Sequence, residues 1–452
     1  MSEATRQLAE VLASRAYADI PEAAAHEAKR LVLDHLGVGL SGAQADTGQI
    51  AAGFALSLGG PAQSSLFGHE TRVPAVHAAL ANAISSHSIE LDDVDVEALF
   101  HFAPPVVAAA RAVAEAQHSS GEELIRAVVA GCETMSRLSD ATNPQLRDRG
   151  FHTTPACGVF GAAMAAGLLL GLPPDDLVSA LGLAGAQAGG LMEMYGTSMQ
   201  KRFNPGPAAR DGVTAALLAQ RGFTGADTIL DGQRGFGPAF AGRFDYDKFI
   251  DGLGARVELL VEYKPYSCAR PIHNAIDAML ELRERYGLKA ADVTRAVCYR
   301  HPSWAAYHVI SRPRTFHEAQ VSLPYSAALA LIEGSALPRQ YARVGSGDDE
   351  VMALSERISV EPDASLLRGV SVRMVVSTND GRQLTAVVDY PSGSVQRPLD
   401  DDALAAKFSS LAGPVIGPDR TGPAVAAVYG LEAMGDVNDL TSLIAPRTEN
   451  SG

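Results

Sequence analysis

Cysteine is scarce in this chain and never paired: Cys132, Cys157, Cys268 and Cys298 are far apart, with no CxxC spacing. That removes the usual ligand patterns of structural zinc and iron–sulfur clusters and leaves reduced, mostly buried thiols as the expectation. Positive charge is also short. The 37 Lys and Arg face 52 Asp and Glu, a net charge of -15 that would repel a phosphate backbone, and no Lys/Arg cluster offsets it. A nucleic-acid partner is therefore not expected. An anionic substrate is not excluded, because the net field is screened within ~8 to 10 Å while a few buried cations act locally. No GxGxxG follows a strand, so a nucleotide fold has no foothold. The most apolar stretch falls short of the ~18 to 20 residues of a membrane span. The N-terminal MSEATRQLAEVLASRAY is amphipathic, carries Glu and lacks an apolar h-region, so a cytoplasmic protein without a membrane partner is expected.

What the chain does contain is globular: 452 residues, 47% hydrophobic and 20% charged, too long for one ordinary core. Ala- and Leu-rich segments at 4–17, 21–40, 46–58, 73–87, 104–117, 121–138, 174–188 and 206–220 predict helices between Gly and Pro punctuation. Among them GFHTTPACGVFGAAMAAGLLLGL (150–172) is apolar on every side, as a buried central helix should be. Thr153 or Thr154 is the expected N-cap, Pro155 suits the first turn, and Gly171 follows the end near Leu170. After residue 290 the pattern alternates. Segments 293–300, 357–362, 370–378 and 382–390 predict strands, the last two joined on an Asp-Gly turn. Helical character returns at 400–411 and 422–434, and the end frays from about Ala445. The expected architecture is mostly α: a discontinuous all-α domain over 1–266, an α+β domain over 267–397, and C-terminal helices over 398–445 packing back on the first.

Polar residues that interrupt apolar segments need a partner or a purpose. His152 stands at the mouth of the central helix, where the positive dipole end would attract a carboxylate and keep the imidazole neutral. The loop HSIELDDVDVEALFHFAPP supplies His87, Glu90, Asp92, Asp93, Asp95, Glu97 and His101. Its Asp run reads as a solvated loop, and as a calcium loop it lacks the turn glycine and the distal Glu. His101, between two Phe, reads as half buried. Lys201 and Arg202 lie among Gly, Asn204 and Pro before a helix, a setting suited to anion capture. The string EYKPYSCARPIHNAIDA adds Lys264, Arg270 and His273, and Tyr325 opens an apolar helix after Pro324, where a core tyrosine is the plain alternative.

These strings, in this order, resemble the MmgE/PrpD family: HSIELDD with His101, GFHTTPACGVFGAAMAAGLLLGL, GTSMQKRFNPGPAARDG, EYKPYSCARPIHNAIDAM, EAQVSLPYSAALALIEG and PSGSVQRPLDDDALAAKF. The resemblance implies a large all-α domain, an α+β lid, a homodimer, an active site between the two domains, and no metal or organic cofactor. It implies catalytic roles for Glu90, His101, His152, Lys201, Lys264 and Tyr325; Arg202, Asn204 and His273 are expected to bind substrate beside them. Three positions depart from its pattern: Glu90 replaces an Asp, Val94 replaces the Thr of decarboxylases, and Asn204 replaces a His.

The chemistry expected of such a set is proton transfer next to a carboxylate. Removing an α-proton builds enolate-like charge that Lys201 and Lys264 could stabilise, while two histidines act as base and acid. The expected activity is that of a cofactor-independent lyase, dehydratase or decarboxylase, acting on a small di- or tricarboxylate such as 2-methylcitrate or cis-aconitate. Alternatives are an epimerase or isomerase exchanging an α-proton, and a non-catalytic polyacid-binding homologue. With cations in place of a metal, turnover should survive prolonged treatment with EDTA; activity lost to chelator and restored by a metal salt would refute the metal-free chemistry.

Overall fold

A computed structural model describes residues 3–95, 100–194, 198–367 and 371–446. The fold is mostly α with a small α+β part. Contacts divide the chain into two compact units: Met1–Ser88 with Asp92–Val261 and Asp400–Gly452, and Ile89–Leu91 with Glu262–Leu399. The expected boundary at residue 266 falls at Val261 instead, and three residues from deep within the first span group with the second unit. Among the described residues no helix is long and apolar enough to cross a membrane.

The helical unit is built around the apolar segment singled out above, which is the helix Thr153–Leu169, buried along almost its whole length. Helices Ala103–Gln117, Gly121–Thr142, Pro174–Gly185 and Pro205–Ala219 pack around it. Small residues permit this: a Cβ on Gly161 would stand 2.7 Å from the Gly131 carbonyl oxygen, and one on Gly212 would stand 2.5 Å from Ala162 Cβ. Any larger residue at either crossing would force the backbones apart. The N-cap is His152, one residue earlier than expected, because its backbone is extended while Thr153 is already helical; Thr154 Oγ1 instead accepts from the backbone N–H of His101 at 3.2 Å. The first helix, Ala4–Ser14, also stops short of its expected end: Arg15 turns extended, and its guanidinium pairs with buried Glu133. Helices Asp401–Ile416 and Pro418–Tyr429 belong to this unit, and Lys407 Nζ meets Asp34 Oδ1 at 2.6 Å. From Arg447 onward the segment expected to fray lies outside the described residues.

The smaller unit carries a four-stranded sheet in the order Ile358–Pro362, Val293–Arg300, Val372–Thr378, Gln383–Val388. The first pair is parallel and the other two antiparallel. Burial alternates along the last two strands, so one face stays open while the other packs on helices such as His273–Tyr286. Their turn is the expected Asp-Gly hairpin, with Gly381 at φ +85°. Val370, expected in the third strand, lies outside the described residues. All four cysteines are buried and free.

His35, on the helix Glu22–Gly42, is a buried group with a cost. It is 1% exposed, its ring lies 5.5 Å from that of Phe67, and neither ring nitrogen has a hydrogen-bond partner. Burial first, and then the Arg111 charge, lower its pKa to about 3 against a smaller opposing pull from Asp92. The folded protein thus holds His35 neutral while the unfolded chain protonates it below pH ~6.5, so its contribution to stability is lost as pH falls from there toward 3. Replacing it by an apolar residue removes two unsatisfied polar atoms. In urea titrations His35→Leu should match or exceed wild-type stability at pH 7 and gain on it by up to ~1.4 kcal/mol per pH unit on acidification. A variant that tracks the wild type at every pH would contradict this account.

Candidate active site

The acidic residues Asp92 and Asp93 of the loop are not solvated. Asp92 is 1% exposed, and His87 and Asp93 are fully buried. The apolar helices Ala75–His87 and Ala103–Gln117 on either side carry the loop inward, and its carboxylates find partners there. Asp93 accepts the backbone N–H groups of Phe102 at 2.7 Å and Ala103 at 3.1 Å, closing the start of the following helix. Burial and neighbouring Asp92 raise its pKa well above the usual carboxyl range. Asp92 Oδ2 lies 2.7 Å from His87 Nδ1 and 2.9 Å from His101 Nδ1. The two rings meet edge to face with centroids 4.8 Å apart. His101 Nδ1 also meets the Asp93 carbonyl oxygen, so two acceptors share that nitrogen. Nδ1 of His101 must therefore carry the proton, and in the neutral ring Nε2 holds the lone pair. Burial lowers the pKa of His87 to about 4, against the pull of Asp92.

His152 is 4% exposed, with its backbone N–H donating to the Gly190 carbonyl at 3.0 Å. Burial holds its pKa well below the usual imidazole range, and His87 and His101 when protonated, with Lys201 and Arg147, push the same way. The ring is neutral at pH 7. Its Nδ1 lies 3.1 Å from Asn204 Nδ2. Lys201 is half-buried and Arg202 is buried, both on the short helix Gln200–Phe203. The helical unit thus gathers His87, Asp92, His101, His152, Lys201 and Asn204. Two surface depressions, of ≈ 370 Å³ at Ala13–Tyr17 and ≈ 160 Å³ beside Arg72 and Arg111, contain none of them.

The smaller unit holds the others. Lys264, 1% exposed, donates from Nζ to Glu90 Oε2 at 3.1 Å, and Glu90 is fully buried. Glu90 has φ +54°, a left-handed conformation rarely adopted by a residue with a side chain. Neighbouring bonds hold it: the Ile89 carbonyl accepts from Ser267 Oγ and from Gln320 Nε2 at 2.7 Å. Tyr325 is fully buried and donates to Asp348 Oδ2 at 3.1 Å; burial and that carboxylate raise its pKa above the usual phenol range. His273 Nδ1 faces Arg270 Nη1 at 3.1 Å, and its Nε2 faces the Cys268 carbonyl at 3.2 Å.

Residues 6–248 match the model of the MmgE/PrpD N-terminal domain, and residues 266–429 match that of the C-terminal domain. The chain belongs to the MmgE/PrpD family. Similar proteins include a cis-aconitate decarboxylase-like protein, oryM, of Aspergillus oryzae, 30% identical over 94% of both chains. The cis-aconitate decarboxylase of Aspergillus terreus is 28% identical over 94% of this chain and 92% of its own. The human cis-aconitate decarboxylase is 27% identical over 92% of this chain and 89% of its own.

Against the site implied by the MmgE/PrpD resemblance, the structure puts His101, His152, Lys201, Arg202 and Asn204 in the helical unit and Glu90, Lys264, Tyr325 and His273 in the smaller one. Tyr325 and His273 are tied into the smaller unit's interior by Asp348, Arg270 and the Cys268 carbonyl. Asp92 and His87 are more closely bound to His101 than the sequence suggested. The signal was an acidic run without Lys, Arg or Gly between two apolar helices, which has no solvent-facing helix surface to belong to. Glu97 lies outside the described residues. His87, Asp92 and His101 offer donor atoms within 4.8 Å of one another. A cation there would displace the hydrogen bonds that orient both rings. For the buried pair, Glu90→Gln should cost about 3 to 5 kcal/mol in denaturant unfolding of the smaller unit, and Lys264→Met added to it should recover most of that. A cost-free Glu90→Gln would show that the pair does not hold the Ile89–Leu91 turn.

Proposed function

We propose that this protein is a lyase that removes water or CO₂ from a small di- or tricarboxylate, such as cis-aconitate or 2-methylcitrate, by moving a proton next to a carboxylate. The observation that carries the reading is the shared carboxylate of Asp92, which leaves His101 Nε2 as a lone pair beside neutral His152. In this reading His101 carries the proton: when water is lost it takes the α-proton and passes it to the departing hydroxyl, and when CO₂ is lost it delivers a proton from solvent to the carbon that receives the electron pair of the broken C–C bond. His152 donates a hydrogen bond to the charge that develops on the substrate, as a neutral imidazole can. Lys201 neutralises a substrate carboxylate, and Lys264, oriented by Glu90, is assigned the second cationic role. The relatives support the substrate class by name: proteins called cis-aconitate decarboxylases match over nearly the full length.

Incubation with cis-aconitate, citrate and 2-methylcitrate in D₂O, followed by proton NMR, tests this directly. Loss of CO₂ with one deuterium entering at the protonated carbon, or loss of water without deuterium entering the alkene, is expected, and His101→Asn, His152→Ala and Lys201→Ala should each lower kcat by ~10² to 10⁴. Deuterium exchange without net loss would make the protein an epimerase instead. Wild-type turnover by His152→Ala or Lys201→Ala would overturn the site.

A further inference from the structure

The two histidines proposed to act on substrate are held in opposite tautomers, and a single side chain decides the second one. Asn204 is 7% exposed and leads directly into the helix Pro205–Ala219, with Pro205 in its first turn, so its backbone has little freedom. Its Nδ2 lies 3.1 Å from His152 Nδ1 and 2.8 Å from the thioether sulfur of Met194, which is 1% exposed. A thioether has no proton to give and can only accept. The atom facing it must therefore be the amide NH₂, since the carbonyl oxygen would meet the sulfur as acceptor against acceptor. The second proton of that NH₂ points to His152 Nδ1, and a nitrogen that accepts a hydrogen bond carries no hydrogen of its own. A neutral imidazole then has its proton on Nε2.

We propose that Asn204, itself oriented by Met194, is a positioning residue that fixes His152 as the Nε2–H tautomer, so that His152 presents a donor where His101 presents an acceptor. This assigns the Asn204 amide to His152 rather than to substrate, and it rests on the reading of His152 as the substrate's hydrogen-bond donor. The charged and titratable groups facing His152 are His87, His101, Lys201 and Arg147, and each opposes a second proton on the ring. None of them fixes which nitrogen holds the one proton present. The amide does.

The test is Asn204→Asp, which puts an acceptor where the donor was. Histidine ¹⁵N shifts, with the His152 signal identified by its absence from His152→Gln, report the proton's position without any substrate. In the wild type at pH 7 the proton should be on Nε2; in Asn204→Asp it should be on Nδ1. Turnover of the variant should fall ~10² to 10⁴ at pH 7 with KM within about threefold. It should recover as the pH is lowered, because the carboxylate raises the pKa of His152 and the imidazolium again carries a proton on Nε2. Asn204→Leu, which removes the donor without imposing the opposite tautomer, should lose less activity than Asn204→Asp and show no acid recovery. A wild-type His152 protonated on Nδ1, or an Asn204→Asp variant with unchanged ¹⁵N pattern, would overturn the inference and leave the proposed reaction standing. Full turnover by His152→Ala would remove the reaction reading whatever the tautomer.

Discussion

A single carboxylate oxygen, Asp92 Oδ2, orients two imidazoles, and the candidate chemistry of the helical unit depends on that sharing. A buried carboxylate is costly unless it is hydrogen-bonded, so the arrangement persists only because both Nδ1 atoms face it. In the neutral rings the same bonds place the lone pair on the other nitrogen. For His87 that nitrogen is enclosed and unpartnered, whereas the His101 side chain keeps 10% of its surface exposed. One oxygen thus separates a ring that stays inside from one able to meet a substrate.

The second imidazole obeys the same rule with the opposite sign. His152 faces a donor, Asn204, where His101 faces acceptors. In the proposed reading, two rings of identical composition take complementary roles from the neighbours that orient them. Lys201 weighs against protonation of His87 and His152 alike, adding to the effect of burial on both rings.

Much of this could be read from the chain, and the limits have physical causes. Uniform apolarity identified the central helix and put His152 at its mouth; period-two alternation and the Asp-Gly pair identified the hairpin. Long, ordered strings identified the family. Asp92 and Asp93 were misjudged, because a short acidic stretch reads as solvent-facing unless the partners drawn in by folding are known. Tyr325 and His273 illustrate the reverse limit: residue type suggests chemistry, while Asp348, Arg270 and the Cys268 carbonyl, distant in sequence, occupy their polar atoms. The role of Asn204 depends on a sulfur atom ten residues away and on an amide's orientation, neither of which has a signature in sequence.

The grouping of Ile89–Leu91 with the smaller unit also bears on how this architecture can change over time. Residues 262–399 are not a separable module, for without that tripeptide Lys264 would keep its charge but lose the Glu90 carboxylate, and Ser267 and Gln320 would lose the carbonyl they share. Shuffling the segment into another gene would leave behind the Glu90 carboxylate that Lys264 meets at 3.1 Å. Inheritance of the two units as one piece is then a matter of electrostatics as much as of ancestry.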